Sequence, residues 1–262
     1  MQVGTPKISR KPKVRRLILF IAILMGLIAP VEAPAQNWKP IYDGRLILKQ
    51  TRPSSSEGIL MQESVLPAAR KTWHEQESDR LCTAGFEAAA IDIVRGSFTR
   101  PESDQKAILY RYCETGNNMA LNGIAVIENA QVVAHVLYEG GWDNAIGALP
   151  DINGNGLSEI VVATGGTNMG ETWEAISIIE VSGSGVMKFG QTKTRSDNCG
   201  ADEKHGKAEA CRLSVKVGST PIVCRETFVN DGFCGGTGKW RKSGDQKQIS
   251  LEEDEIEYEL IK

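Results

Sequence analysis

One nine-residue stretch constrains this chain more than any other, because its oxygen-bearing side chains recur at alternate positions. The stretch runs from Asp151 to Glu159 and has the sequence Asp-Ile-Asn-Gly-Asn-Gly-Leu-Ser-Glu. Gly156, at the sixth position, permits a sharp turn that a residue with a Cβ atom resists. The pattern therefore predicts a tight loop that directs several oxygen atoms toward one point.

Such a loop is typical of calcium sites, because Ca²⁺ takes about 6 to 8 oxygen ligands at about 2.3 to 2.6 Å. We expect bound Ca²⁺ here. The alternative is a metal-free Asn-Gly hairpin turn, since Asn-Gly is also a strong hairpin signal. The predicted ligands are four side chains and one backbone carbonyl, that of the leucine: Asp151, Asn153, Asn155, Leu157 and Glu159.

The residues after the loop exclude an EF-hand. An EF-hand needs a bidentate glutamate at its twelfth position and a helix that continues from it, whereas Val162 occupies that position here. The run Ile160 to Thr164 is short and β-branched, which predicts a buried strand. We expect this strand to end at a turn formed by Gly165 and Gly166.

With its loop leading into a strand, the segment from about Gly140 to Ser182 resembles the FG-GAP and VCBS repeats of integrin-type β-propellers. Blades of that family carry a D-x-N-G-D-G-x-x-D loop before a hydrophobic strand. Asn155 stands where the family usually has aspartate, and Glu159 replaces the final aspartate. The resemblance implies a calcium-binding β domain. Fewer carboxylates imply weak binding, in the range of about 0.1 to 1 mM.

The N-terminus is typical of an export signal. Six basic residues precede the apolar run Leu17 to Ala29, and the small residues Ala33 and Ala35 follow it. We therefore predict a signal peptide over residues 1–35 with cleavage after Ala35. The run of 13 residues is shorter than the roughly 20 that span a bilayer, although an uncleaved anchor remains the alternative. The expected location is periplasmic or secreted, with no stable membrane span after cleavage.

The net charge of the predicted mature chain argues against some kinds of binding partner. Cleavage would remove 35 of the 262 residues and leave 227, with 24 basic against 32 acidic residues and a net charge near −8. Nucleic acids and anionic membrane surfaces favour basic patches. We therefore expect no nucleic-acid partner.

All six cysteines lie in the predicted mature chain, and an even number in an exported protein indicates disulfides. An antiparallel hairpin between the runs 86–94 and 107–112 would bring Cys82 to Cys113, which we predict as a pair. We expect the other four to form two local bridges, Cys199 with Cys211 and Cys224 with Cys234. Zinc is the competing use of these four, but no Cys-x-x-Cys pair supports it.

The distribution of strands and turns predicts three regions: the signal peptide, an N-terminal segment over 36–80 and a disulfide-containing β domain over 81–262. A helix is expected from Glu57 to Arg70, capped by Ser56. Strands of about 5 to 9 residues then alternate with turns, which favours an all-β domain. Four-strand spacing over 145–191 favours a small or irregular β-propeller-like fold, with a β-sandwich as the alternative.

No catalytic motif is present in the sequence, and the three histidines are too scattered to form a zinc motif. We therefore expect a non-enzymatic calcium-binding module that recognises a protein or a glycan. The alternative is a secreted hydrolase acting on glycans, with Glu171 or Glu174 as acid or base. Trp142 and Trp173 would then form a sugar platform, although core or edge aromatics in adjacent strands are the commoner account of such residues.

Overall fold

The computed structural model describes residues 38–46, 48–75, 82, 88–116, 119–141, 143–203, 205–236 and 238–261. They belong to one structural unit, Trp38–Lys262. The predicted signal peptide and its cleavage site lie outside the described residues.

The described residues confirm the all-β class, with one short helical segment. Their strands are β1 Lys39–Asp43, β2 Ala89–Gly96, β3 Gln105–Gly116, β4 Met119–Glu128, β5 Gln131–Gly141, β6 Asp143–Ala148, β7 Ile160–Asn168, β8 Glu171–Ser182, β9 Gly185–Asp197, β10 Ala208–Lys216, β11 Ile222–Asn230, β12 Arg241–Lys242, β13 Lys247–Ile249 and β14 Glu259–Ile261.

These strands form two antiparallel sheets. The large sheet has nine strands in the order β12-β11-β10-β9-β8-β7-β6, with β1 paired to β10 and β13 paired to β11. The small sheet has five strands in the order β14-β5-β4-β3-β2. The predicted four-strand group over 145–191 corresponds to β6–β9, which lies inside the large sheet.

Both faces of the small sheet are buried. Alternate side chains of β3 pack into two different core clusters, one on each face. Ala107 and Leu109 belong to a core cluster that also contains Ile160 and Ile179 of the large sheet. Ile108 and Tyr110 face the other way, into a cluster with the helical segment. Because successive side chains leave opposite faces of a strand, the run Ala107 to Tyr110 is apolar at every position rather than alternating.

The buried carboxylate of Asp92 joins the two sheets. It is 1% exposed and accepts N–H groups from Ile93 on its own strand, from Thr51 at 2.7 Å and from Ile146 of β6 at 3.0 Å. The bond to Ile146 fixes an edge of the small sheet to an edge of the large sheet, immediately before the predicted calcium loop.

The predicted helix over 57–70 is present with different bounds and a different cap. Helix α1 spans Ser55–Leu60, a π-helical turn spans Met61–Val65, and helix α2 spans Leu66–Glu75. The cap is Ser54 rather than Ser56, since the Ser54 N–H donates to the Glu57 carboxylate at 2.6 Å. No helix in the described part of the chain combines the length and apolarity that a bilayer span requires.

The predicted turn at Gly165 and Gly166 is wrong, because β7 continues to Asn168. Gly166 pairs across the hairpin with Trp173, and a Cβ atom on it would lie 3.0 Å from the Trp173 ring. The glycine therefore makes room for an aromatic side chain inside the sheet. The turn forms instead at Met169 and Gly170, whose φ angles are 49° and 83°.

One predicted disulfide is confirmed and two are wrong. Cys82 bonds to Cys113 as expected, whereas Cys199 bonds to Cys234. Cys211 and Cys224 are buried free thiols.

The geometry of the β10–β11 hairpin explains the difference. Ala208 pairs with Asn230, so the turn before β10 meets the loop after β11, and these two segments carry Cys199 and Cys234. Cys211 faces the apolar interior of the large sheet, as does Val223. Cys224 follows Val223, so its side chain points from the opposite face of the sheet. It bonds to neither Cys211 nor Cys234.

Candidate metal centre

The predicted calcium loop connects β6 to β7 and is closed by its own backbone. The Leu149 N–H donates to the Glu159 carbonyl at 2.8 Å, so the chain enters and leaves the loop side by side. Gly154 and Gly156 have φ angles of 86° and 87°, which favour glycine at both positions. The sequence pattern thus folds as the expected tight loop.

A second connection lies against this loop. The segment 97–104 joins β2 to β3, and the Ser158 N–H donates to the Ser97 carbonyl at 2.8 Å. Ser97 in turn donates its N–H to the Ser158 hydroxyl at 3.1 Å. A Cβ on Gly156 would come within 3.1 Å of Pro101, so the two connections are in close contact.

Asp151 organises the first half of the loop. Its Oδ1 accepts N–H groups from Gly154 at 2.6 Å and Asn155 at 3.2 Å, and its Oδ2 accepts the Gly156 N–H at 2.8 Å. This carboxylate therefore sits in a concave group of backbone donors, an arrangement that favours negative charge.

In each of the two loop asparagines, the side-chain oxygen and the side-chain nitrogen bond to different parts of the protein. The Asn153 oxygen accepts the Asn155 N–H at 3.0 Å, and the Asn155 oxygen accepts the Leu157 N–H at 2.9 Å. Their amide nitrogens both donate to Oε2 of Glu180 at 2.8 Å. The asparagine side chains thus connect the loop to strand β8.

Glu159 is fully buried at the end of the loop, with 0% exposure. Its carboxylate accepts the Ile152 N–H at 3.0 and 3.3 Å. Its pKa is raised to about 7, chiefly by burial and also by the nearby charges of Glu180 and Asp151, while the Ile152 bond opposes the shift.

Glu180 contacts the predicted calcium loop and was not among the ligands predicted from the sequence. It is 3% exposed and lies on β8 among Ile178, Ile179 and Val181, which are fully buried. An acidic residue inside such an apolar run was the available signal, because a buried carboxylate needs a compensating partner.

Two buried carboxylates at one site need a compensating charge. In the described part of the chain no lysine or arginine forms an ion pair with Glu159 or Glu180. The amide nitrogens of Asn153 and Asn155, not their oxygens, face Glu180, so these side chains would have to rotate for their oxygens to bind a hard cation such as Ca²⁺. The oxygens of Asp151, Glu159 and Glu180 do not all lie within 4.8 Å of one another, so ion binding would draw them together.

The acids considered for a hydrolase are engaged elsewhere. Glu171 is exposed and pairs with Lys193 at 2.6 Å. Glu174 accepts the Tyr42 hydroxyl at 2.6 Å and lies 3.6 Å from Arg195. The two glutamates are three positions apart on β8 and leave opposite faces of the sheet. Trp142 lies outside the described residues.

No family model, no curated protein and no solved structure matches this chain. The fold and the geometry of the loop are therefore the observations that bear on function.

Proposed function

We propose that this protein is an exported calcium-binding β module without enzymatic activity, and that it recognises a protein or a glycan. The observation that carries the calcium proposal is the pair of buried glutamates, Glu159 and Glu180, which lie beside Asp151 and have no basic partner among the described residues. Buried charge of one sign is costly unless a counter-ion or protons compensate it.

Calcium suits this site better than magnesium does. The loop offers carboxylate, amide and carbonyl oxygens from a backbone with two left-handed glycines, and Ca²⁺ tolerates irregular geometry and variable ligand number. Magnesium requires a near-octahedral arrangement at about 2.0 to 2.1 Å and keeps much of its water. Glu180 supplies a third carboxylate, which favours tighter binding than the loop alone would give.

Two features bear on whether the β domain closes as a propeller-like fold or as a β-sandwich. The loop followed by a strand, within the group β6–β9, supports the resemblance to FG-GAP and VCBS repeats. The nine-strand and five-strand sheets with a shared core support the β-sandwich alternative for the closure of the domain. The calcium proposal is compatible with either closure.

The disulfides support export, and the polar surface beside the loop supports recognition of a ligand. Two disulfides are typical of proteins in oxidising compartments. The two adjacent connections, 97–104 and 151–159, form a polar surface on a rigid pair of sheets, the kind of position where recognition commonly occurs. We place the protein or glycan ligand at this surface.

The experiment is a thermal unfolding series on the mature chain in chelator, 2 mM Mg²⁺ and 2 mM Ca²⁺, where the ion concentration is about twice the weakest expected Kd. Binding to the native state alone should raise the Tm, more with Ca²⁺ than with Mg²⁺. Asp151→Ala and Glu180→Gln should each reduce the increase, while Glu255→Gln, an exposed acid, should leave it unchanged. A Tm that is the same in chelator and in Ca²⁺ would contradict the proposal.

A further inference from the structure

A second group of metal-ligand atoms lies at the other end of the large sheet. One ligand atom from each of Asp197, Cys199 and Cys234 lies within 4.8 Å of the others, and all three residues are half-buried. In the described part of the chain, this is the one group of three or more acidic, cysteine or histidine residues with that spacing. The two sulfur atoms are joined as a disulfide, so neither is a metal ligand in this state.

We propose that reduction of the Cys199–Cys234 disulfide creates a site for a zinc-type divalent cation, independently of the calcium loop. A dithiol reductant supplies two electrons, the S–S bond breaks, two thiols form and the reductant becomes a cyclic disulfide. Binding of the cation then displaces the two thiol protons and forms two metal–thiolate bonds.

Backbone hydrogen bonds hold the ligands in place without the disulfide. In the turn that carries Cys199, the Asn198 carbonyl accepts N–H groups from Ala201 and Asp202 at 3.0 Å. The Asn198 side chain accepts the Lys207 N–H at 2.6 Å. The loop that carries Cys234 is closed by a bond from the Gly238 N–H to the Gly232 carbonyl at 3.0 Å. Both turns therefore keep their shape when the S–S bond breaks.

The distances suit a shared cation. The Cα atoms of Cys199 and Cys234 are 5.2 Å apart, and small side-chain rotations separate the two sulfurs enough to bind one ion. Asp197 is two residues before Cys199, and its carboxylate accepts the Cys199 N–H at 3.2 Å and retains further lone pairs. Two thiolates and a carboxylate form three of the four positions of a tetrahedral zinc site.

His205 is the candidate for the fourth ligand, and its ring nitrogens lie outside the present group of three. A Cβ on Gly206 would lie 2.5 Å from the Cys234 sulfur, so the backbone at 206 is packed against it. The preceding residue is His205, whose side chain is 83% exposed and lies 3.5 Å from Asp202. An exposed imidazole can change rotamer and reach the ion.

Cobalt provides the test, because tetrahedral thiolate ligands give Co²⁺ intense visible absorption. The oxidised full chain should show no such bands, and the chain reduced with a dithiol should show them at one equivalent of Co²⁺ and lose them when Zn²⁺ displaces the cobalt. Cys199→Ser/Cys234→Ser should abolish the bands. Asp197→Asn and His205→Ala should each weaken affinity by about tenfold or more. The matched control, Cys211→Ser/Cys224→Ser, removes the two free thiols and should leave the spectrum unchanged.

Two results would overturn the proposal. The first is the absence of cobalt–thiolate bands in reduced protein, whether or not it keeps its β-sheet circular dichroism, because the site requires these turns to stay folded. The second is binding that survives Cys199→Ser/Cys234→Ser, which would assign the thiolates to Cys211 and Cys224 if the control variant loses the bands, or to the reduced Cys82 and Cys113 if it keeps them.

Discussion

Replacing Glu159 with glutamine should change how the stability of the calcium-free protein depends on pH. The folded protein holds the pKa of Glu159 at about 7, against an ordinary value of 4.5, because the carboxyl group is buried beside two other acids. The folded state therefore binds this proton more tightly than the unfolded state does. Its contribution to stability is complete below about pH 4.5 and is lost as the pH rises through 7.

The magnitude follows from the gap between the two values. A gap of about 2.5 at about 1.4 kcal/mol for each pH unit gives a loss of about 3 kcal/mol between pH 4.5 and pH 8. Glutamine stays neutral across this range and keeps an oxygen for the Ile152 N–H. The free energy of unfolding of Glu159→Gln, relative to the wild type, should therefore rise by about 3 kcal/mol over the same interval.

The assay is urea unfolding in chelator at several pH values, with Glu255→Gln as an exposed control. Taking the difference between variant and wild type removes the contributions of all other titrating groups. Adding Ca²⁺ should abolish most of the loss in the wild type, because the ion compensates the carboxylate charge. A difference that stays flat from pH 4.5 to pH 8 would refute the assignment of Glu159 as a buried acid that needs a proton or a cation.

Three further predictions concern other parts of the fold. Burial lowers the pKa of His135 to about 4, so protonation of His135 alone should cost about 3 kcal/mol of stability between about pH 6.5 and pH 4, and an NMR titration of its ring should locate that pKa. Cys82→Ser/Cys113→Ser opens a disulfide with a sequence separation of 31 and should lower the free energy of unfolding by about 4 kcal/mol in denaturant melts. Gly156→Ala should cost about 1 to 3 kcal/mol because of its left-handed φ and its contact with Pro101, while Gly183→Ala, with open space around it, should be near neutral. Equal losses at the two glycines would contradict the loop geometry.

Local patterns in the sequence were sufficient for part of the fold. Alternating strands and turns gave the all-β class, and a hairpin argument paired Cys82 with Cys113, because both depend on neighbours along the chain. The loop at 151–159 was predictable for the same reason, since its turns are made by its own asparagines and glycines. Short-range signals therefore predicted short-range structure.

Contacts between distant segments were not predictable. Glu180 reaches the loop only because β8 lies beside β7, and nothing in the loop sequence indicates which strand contributes another acid. Cys234 reaches Cys199 because the β10–β11 hairpin brings its two ends together. Strand β1 was missed because its few residues show little alternation and are ordered by pairing with β10. In each case a partner far away in sequence decides the outcome.

The central claim is that one divalent cation is held by the loop and by Glu180. It is tested most directly by an anomalous difference map from crystals of the mature chain grown with Ca²⁺. We expect one peak surrounded by oxygens of Asp151, Asn153, Asn155 and Glu159 and the Leu157 carbonyl, with the Glu180 carboxylate turned from the asparagine amides toward the ion. A well-ordered loop that keeps the Asn153 and Asn155 bonds to Glu180, with no peak beside them, would contradict the account.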